Sequence, residues 1–254
     1  MKKQLTIDEE HQIRLEMLVE IDQFCRKHGL KYQLAYGTLL GAIRHNGFIP
    51  WDDDADLLMP LPDLLRLKAI FSSENLYYCD VDTWKHYQYV FSRIVHKQTY
   101  SKVGLFSKDY GVFIDVYPAI GVPSNQNERN IFCKEANAMR QRYLKMGSMV
   151  RNLSLISPLK TIPGYDSFMK KHRDFLYNST PYETAEVFLH YCGPISDFFT
   201  FDVFEELIDI DFEGYKFLAP NRYDEILTQK YGDYMKLPPL EDRHPYHGAK
   251  IYWK

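Results

Sequence analysis

No stretch of the chain approaches the about 20 consecutive apolar residues that a helix needs to cross a bilayer, so no transmembrane segment is expected; docking on a membrane surface stays open. Nor is a signal sequence expected. Met1-Lys2-Lys3-Gln4 is basic, but Asp8, Glu9, Glu10 and Arg14 fall where an uninterrupted apolar core would have to lie, which predicts a cytoplasmic protein, at most at the inner face of the cytoplasmic membrane. Cysteine is scarce and scattered: Cys25, Cys79, Cys133 and Cys192 lack the close spacing of a zinc site or of a secreted disulfide framework, and read as reduced thiols. A basic surplus is missing too. The net charge is -3 with both signs interspersed, which excludes the positive field that unspecific nucleic-acid binding relies on. Internal repeats and low-complexity tracts are absent, so no solenoid or disordered linker is expected.

What is present suits a globular fold. With 254 residues and 45% hydrophobic content the chain can form one large domain, or a compact domain with an appended lobe. Aromatics reach 15%, including 20 Tyr, enough to fill a core or to line a sugar or base site. Thr6-Ile7-Asp8-Glu9 fits a capping box, and Ile13, Met17, Ile21, Phe24 and Cys25 recur at helical spacing up to a stop at Gly29. Leu30 to Tyr36 reads as a strand turned by Gly37, Thr38 as the N-cap of a helix to His45, Asp54 to Met59 as a strand, and Pro62 and Asp63 as the start of a helix to about Phe71. Tyr87 to Val95 and Gly111 to Tyr117 carry the β-branched and aromatic residues of two further strands. Helical patterns run from Asn127 to about Met149 and from Tyr165 to Tyr177, interrupted by Ser157-Pro158 and Ile162-Pro163-Gly164. A hairpin about Glu213-Gly214 then precedes a helix that Asn221 can cap and Gly232 stops. The expected fold class is α/β, or α+β: a small mixed sheet flanked by helices. The expected parts are a catalytic core over 1–123, an accessory, mostly helical lobe over 124–200, and a hairpin, helix and basic tail over 201–254 that packs back on the core.

Alternate side chains of a strand share a face, so Asp54 and Asp56 would crowd two negative charges together, while Asp115 would share a face with Phe113 and Tyr117. Two readings stand. The three carboxylates hold one or two Mg²⁺ ions that clamp a nucleotide diphosphate presented to the Gly37-Thr38 turn, or Asp54 and Asp56 belong to a solvated acidic loop and Asp115 pairs with a basic side chain. Arg44 and Lys97 can neutralise a diphosphate or stay solvated, and Trp51 can stack on a base, cover a cation, or pack. Asp52 and Asp53 shape the entrance, hold a second ion, or form a charged loop. Asp233 reads as a loop tie, and Arg243, His244 and His247 as a basic tail, free at the surface or folded over the site.

The run Tyr36-Gly37-Thr38-Leu39-Leu40-Gly41-Ala42-Ile43-Arg44-His45-Asn46-Gly47-Phe48-Ile49-Pro50-Trp51-Asp52-Asp53-Asp54-Ala55-Asp56 closely resembles the signature of the LicD family. Phe113-Ile114-Asp115-Val116-Tyr117-Pro118 and Tyr231-Gly232-Asp233-Tyr234-Met235-Lys236-Leu237-Pro238-Pro239, with Arg243 and His247 beyond, resemble the same family. Two departures stand out: Ala55 replaces a residue that is often β-branched, and Arg93 and His96 stand where Lys and Asp are frequent.

The resemblance implies a nucleotidyltransferase-like fold and transfer of phosphocholine, or a related phospho-substituent, from a CDP-linked donor such as CDP-choline. The implied acceptor is a glycan or glycolipid precursor of the cell surface, of the teichoic-acid or lipopolysaccharide kind, and fukutin-type ribitol-phosphate transferases look like distant relatives. It implies Asp54, Asp56 and Asp115 as catalytic residues and ligands of Mg²⁺, with Mn²⁺ as the alternative, and Asp115 as the first choice for the base. Gly37, Thr38, Arg44, Trp51, Arg93, Arg243 and His247 are then the expected donor- and acceptor-binding residues. A nucleotidyltransferase attacking an α-phosphate and a non-catalytic nucleotide-binding protein are the alternatives.

Overall fold

The computed structural model describes residues 3–103, 107–156, 163–191, 197–200, 202–245 and 247–254. Helix α1 (Ile7–His28) is closed at one end by the reciprocal Thr6 and Glu9 capping box and at the other by Gly29, whose φ of 61° is the left-handed conformation that glycine adopts without strain. Strand β1 (Gln33–Leu34) leads into α2 (Tyr36–His45), and β2 (Asp56–Pro60) into α3 (Leu61–Ile70). Strands β3 (Leu76–Cys79), β4 (Ser92–His96), β5 (Thr99–Val103), β6 (Ser107–Tyr110) and β7 (Phe113–Val122) follow. Then come α4 (Gln126–Ile156), α5 (Tyr165–Tyr177), β8 (Val187–His190), β9 (Phe198–Phe199), the hairpin β10 (Leu207–Phe212) and β11 (Tyr215–Pro220), α6 (Tyr223–Tyr231) and β12 (Ile251–Trp253). The mixed sheet between helices is the α/β arrangement expected from the sequence.

The central sheet runs in the order β1-β2-β7-β4-β3, with β8 and β9 continuing from the far half of β7. Strand β7 is buried along its whole length. It lies parallel to β2 and antiparallel to β4, whose pairing ends at Val116, and antiparallel to β8, whose pairing begins at Ala119. Pro118 therefore sits where β7 changes partner and its missing N–H interrupts neither ladder, which is why the strand runs past the proline that the sequence suggested as its end. Alternation sets the two faces. Leu57, Met59, Ile114 and Val116 pack with Ile13, Met17 and Ile21 of α1, while Leu58, Tyr117, Phe91 and Ala119 pack on the other side. Val95, Ile120 and Val122 cover Met169 and Leu176 of α5 together with Phe132 of α4.

Several local expectations shift. The Tyr87 to Val95 strand shortens to β4, because the preceding residues form the aromatic wall of a cleft, and β3, β5, β6, β8, β9 and β12 carry too little periodicity to be read. The N-cap of α2 is Ala35, not Thr38, and that of α6 is Arg222, not Asn221. Helix α4 is longer than expected; Ser157-Pro158, Ile162 and Cys192 lie outside the described residues. Cys25 and Cys79 are buried and Cys133 is half-buried.

Candidate active site

One row across the sheet gathers the charged residues. Asp115 of β7 is in register with Asp56 of β2 on one side and Arg93 of β4 on the other, so the three side chains leave the same face of neighbouring strands. Asp115 and Arg93 are almost sealed from solvent. Arg93 Nε donates to Asp115 Oδ1, and its Nη2 to Oδ2 at 3.1 Å, a bidentate pair to which the Tyr117 hydroxyl adds a third hydrogen bond at 3.3 Å. The guanidinium lies 4.1 Å from the Tyr89 ring, 5.0 Å from Tyr110 and 3.8 Å from Phe113. Burial pushes the Asp115 carboxyl up and Arg93 opposes it; burial would lower the Arg93 guanidinium, but the negative charge of Asp115 keeps it well above its usual value.

The acidic loop before β2 is held from behind by α1. His11 Nε2 lies 2.6 Å from the carbonyl oxygen of Asp52, and the buried Arg14, paired with Glu10 at 3.1 Å, donates to the carbonyl of Asp53. With those carbonyls gripped, the loop's side chains divide. Asp53 turns inward and accepts hydrogen bonds from the backbone N–H of His247 at 3.0 Å and of Gly248 at 2.7 Å, which fastens the basic tail to the loop. Asp54, which precedes β2 and does not belong to it, meets His247 Nε2 at 3.1 Å through Oδ2. Burial tends to raise the Asp54 carboxyl, but the His247 hydrogen bond and charge hold it below its usual range, and the same bond raises the His247 imidazole. Asp52 is pushed up to about 7 by partial burial and by the negative charge of Asp54. A side chain at Gly37 would place its Cβ 2.6 Å from Asp52 Oδ2, so the missing side chain leaves the space this carboxylate occupies.

These groups line a cleft of about 940 Å³. Asp52, Asp54, Asp56 and Asp115 form its acidic wall; Tyr36, Gly37, Leu40 and Arg44, spaced along one face of α2, form the next. Arg44 donates to the Tyr234 carbonyl at 2.8 Å and so ties down the loop after α6, which brings Asp233, Tyr234, Lys236 and Pro238 to the rim. Trp51 and His247 line the cleft as well, while Arg243 stands 5.3 Å over the Trp51 ring and bonds the Pro238 carbonyl at 3.0 Å. Thr38 lies behind the wall: its buried hydroxyl accepts from the Asp56 N–H at 2.8 Å and fixes the start of β2. Lys97 is elsewhere, donating to the Ser73 carbonyl at 2.7 Å. Sequence reasoning missed Arg140 and Tyr143 of α4, Lys230, and the rings of Tyr36, Tyr89 and Phe91, all of which line the cleft. Nothing local marks Arg140, one of many basic residues on a polar helix, but the left-handed φ of 45° at Tyr36, placed just before Gly37, is a strain that only the fold reveals.

Among the described residues, no three His, Cys, Asp or Glu side chains converge as the ligand set of one ion in this conformation, and Asp115 is engaged by Arg93. The donor chemistry nonetheless suits a hard divalent cation, which takes carboxylate oxygens of the kind that Asp52, Asp54 and Asp56 bring to one wall. No described helix is long and apolar enough to cross a membrane.

Comparison with known proteins gives the chain's relatives. Over nearly its full length the chain is similar to the lipopolysaccharide cholinephosphotransferase LicD of Haemophilus influenzae, 28% identical over 268 residues that span 98% of this chain and 99% of the relative. Shorter stretches are similar to an uncharacterised protein of Rickettsia prowazekii, 38% identical over 55 residues covering 22% of this chain and 21% of that protein. Mannosyltransferase regulator 4 of Saccharomyces cerevisiae is 35% identical over 65 residues, 25% of this chain and 6% of that protein. Residues 29–164 match the family described as LicD/FKTN/FKRP, nucleotidyltransferase domain. Since that span contains α2, β2, β4 and β7, and with them the whole row from Asp56 through Asp115 to Arg93, the chain belongs to the LicD family.

Proposed function

We propose that the protein transfers phosphocholine, or a closely related phospho-substituent, from a CDP-linked donor to a hydroxyl of a glycan or glycolipid, releasing CMP. The observation that carries the reading is the single cleft in which an acidic wall faces the basic side chains Arg44, Arg140, Lys230, Lys236 and His247. Such a site suits a dianionic bridge: cations take up charge moving onto the leaving phosphate, and the carboxylates serve a metal and a proton. The N-terminal turn of α2, which no side chain caps, adds the favourable end of a helix dipole at Tyr36 and Gly37. The near full-length relative, named for cholinephosphotransfer to lipopolysaccharide, favours phosphocholine as the moving group and a cell-surface glycolipid as the acceptor.

In this reading Asp54 and Asp56, with Asp52 beside them, hold Mg²⁺ or Mn²⁺, which supplies neutralisation of the diphosphate when bound. Arg44, Arg140 and Lys236 orient the donor. The acceptor hydroxyl attacks the phosphorus that carries the choline, the bond from that phosphorus to the CMP oxygen breaks, and the hydroxyl proton passes to a carboxylate of the wall. Asp115, with both oxygens taken by Arg93 and Tyr117, is a positioning group here, and the base moves to Asp52 or Asp54, which face the cleft. The test is CMP release from a panel of CDP-linked donors with and without Mg²⁺. Asp54→Asn and Asp56→Asn are expected to lose at least about a hundredfold in turnover while keeping the wild-type melting profile; parental turnover in either would sink the assignment. Pyrophosphate from CTP, with no CMP from any CDP-linked donor, would make the protein a nucleotidyltransferase instead.

A further inference from the structure

The inner wall of the cleft is aromatic as well as acidic. Tyr36 from the start of α2 and Tyr117 from β7 meet edge to face, ring centroids 5.2 Å apart and planes at 89°, so together they form a corner. Phe91, in the segment entering β4, stands 4.4 Å from Tyr117, and Tyr89 stands 4.9 Å from Phe91. All of these rings line the cleft, and Phe91 and Tyr117 are fixed from behind by packing with Leu58 and Val203. A corner of rigid ring faces is how proteins hold a cation too bulky and too poor in hydrogen-bond donors for a carboxylate alone.

Three further observations point the same way. The wall already holds cations: the Arg93 guanidinium lies over the Tyr89 ring, and Lys230, its charge met by Asp197, lies 5.2 Å from the Tyr36 ring. Tyr36 keeps a φ of 45°, a strained conformation for a bulky side chain, at the residue that forms one side of the corner. Finally, Tyr117 lies two residues beyond Asp115 on the same face of β7, roughly 7 Å along the strand, so the ring corner sits a short spacer away from the charged row.

We propose that Tyr36, Phe91 and Tyr117 form a quaternary-ammonium subsite that selects a trimethylated head group over a primary amine. The identity of that head group as part of the donor rests on the phosphotransfer reading above. Methyl groups spread the positive charge over an apolar surface that fits ring faces, whereas a primary ammonium keeps its water and asks for hydrogen-bond acceptors that ring faces do not offer.

Titration calorimetry with phosphocholine and phosphoethanolamine, which differ in the three methyl groups, tests the subsite. The wild type is expected to bind phosphocholine about tenfold more tightly, Phe91→Tyr to keep that preference, and Phe91→Leu to lose most of it with little change toward phosphoethanolamine. Tyr36→Leu, at a half-buried position, repeats the test if Phe91→Leu fails to give a native melting profile. Equal affinity for the two ligands in the wild type, or an unchanged preference in the folded leucine variants, overturns the proposal. CMP release from CDP-choline, measured alongside, separates the two ideas. Turnover without a methyl preference removes the subsite and leaves the transfer reading, while a ring-dependent preference without turnover of any donor leaves the subsite and removes the transfer reading.

Discussion

Replacing Arg93 by Met separates what the buried ion pair does for the fold from what it does for the cleft. Arg93 and Asp115 are each 2% exposed, and the guanidinium supplies two of the carboxylate's three observed hydrogen bonds. Removing one partner of such a pair leaves a buried charge uncompensated, at about 3–5 kcal/mol, a large part of the roughly 5–15 kcal/mol by which folded domains exceed their unfolded state. The loss should depend on pH. Burial already raises the Asp115 carboxyl and Arg93 restrains it, so without Arg93 the folded-state value climbs further above the unfolded one. A protonated Asp115 needs no counter-ion, so the destabilisation is largest at neutral pH and shrinks as the solution is acidified toward the carboxylate range. Urea unfolding followed by circular dichroism, at neutral and mildly acid pH, measures both quantities. The double variant Arg93→Met/Asp115→Leu should regain most of the stability, because replacing both charges by apolar groups removes the uncompensated ion, and should still lack transfer activity. An Arg93→Met protein within about 1 kcal/mol of the parent at neutral pH would refute the argument, since it would give the pair no more weight than an exposed one.

Two other predictions concern supports of the cleft. Thr38→Val deprives the Asp56 N–H of its Thr38 acceptor and should cost about 1–3 kcal/mol in denaturant unfolding, whereas Thr38→Ser keeps the hydroxyl and most of the stability; a larger loss in Thr38→Ser than in Thr38→Val would show that the methyl group, not the hydrogen bond, matters. His172, packed among Tyr143, Phe168 and Tyr191, is held by burial down to about 4. The unfolded chain therefore takes up its proton near pH ~6.5 and the folded one does not, so stability falls between there and about pH 4 by up to ~1.4 kcal/mol per pH unit. His172→Phe should flatten that slope in unfolding curves measured across the window, and an unchanged slope would rule His172 out as its source.

The parts of the fold legible in the sequence are those whose cause is local. The Thr6 and Glu9 box, the Gly29 stop, the hairpin at Glu213-Gly214 and helix α5 from Tyr165 to Tyr177 each follow from a few adjacent residues. The alternation of Phe113, Asp115 and Tyr117 against Ile114 and Val116 was readable for the same reason. What escaped depends on pairing across the chain. Gly37 and Thr38 look like a turn and a cap, yet they are the first turn of α2, because the Asp56 N–H bonds Thr38 in place of a helix N–H. Both meanings of Asp115 were visible as alternatives, and only the register that sets Arg93 beside it shows that it pairs with a basic side chain. Asp53 reads like its neighbours, and only the backbone of His247 and Gly248 makes it a tie. Arg140 belongs to no motif at all, since its place in the cleft comes from how α4 crosses the sheet.

The fastening of Asp53 to the tail also bears on when the protein becomes competent during its own synthesis. Leu5 N bonds the Ile251 carbonyl and β12 pairs with β5, while His247 and Gly248, more than 190 positions along the chain from Asp53, close on it in the acidic loop. A nascent chain complete through α6 already carries the carboxylate wall and the Arg93 pair, but His247 is not yet there to meet Asp54 and no tail backbone is there to hold Asp53. The loop is finished only when its distant tail arrives, so the order of translation delays the cleft's final shape until the rest of the sheet is already in place to receive it.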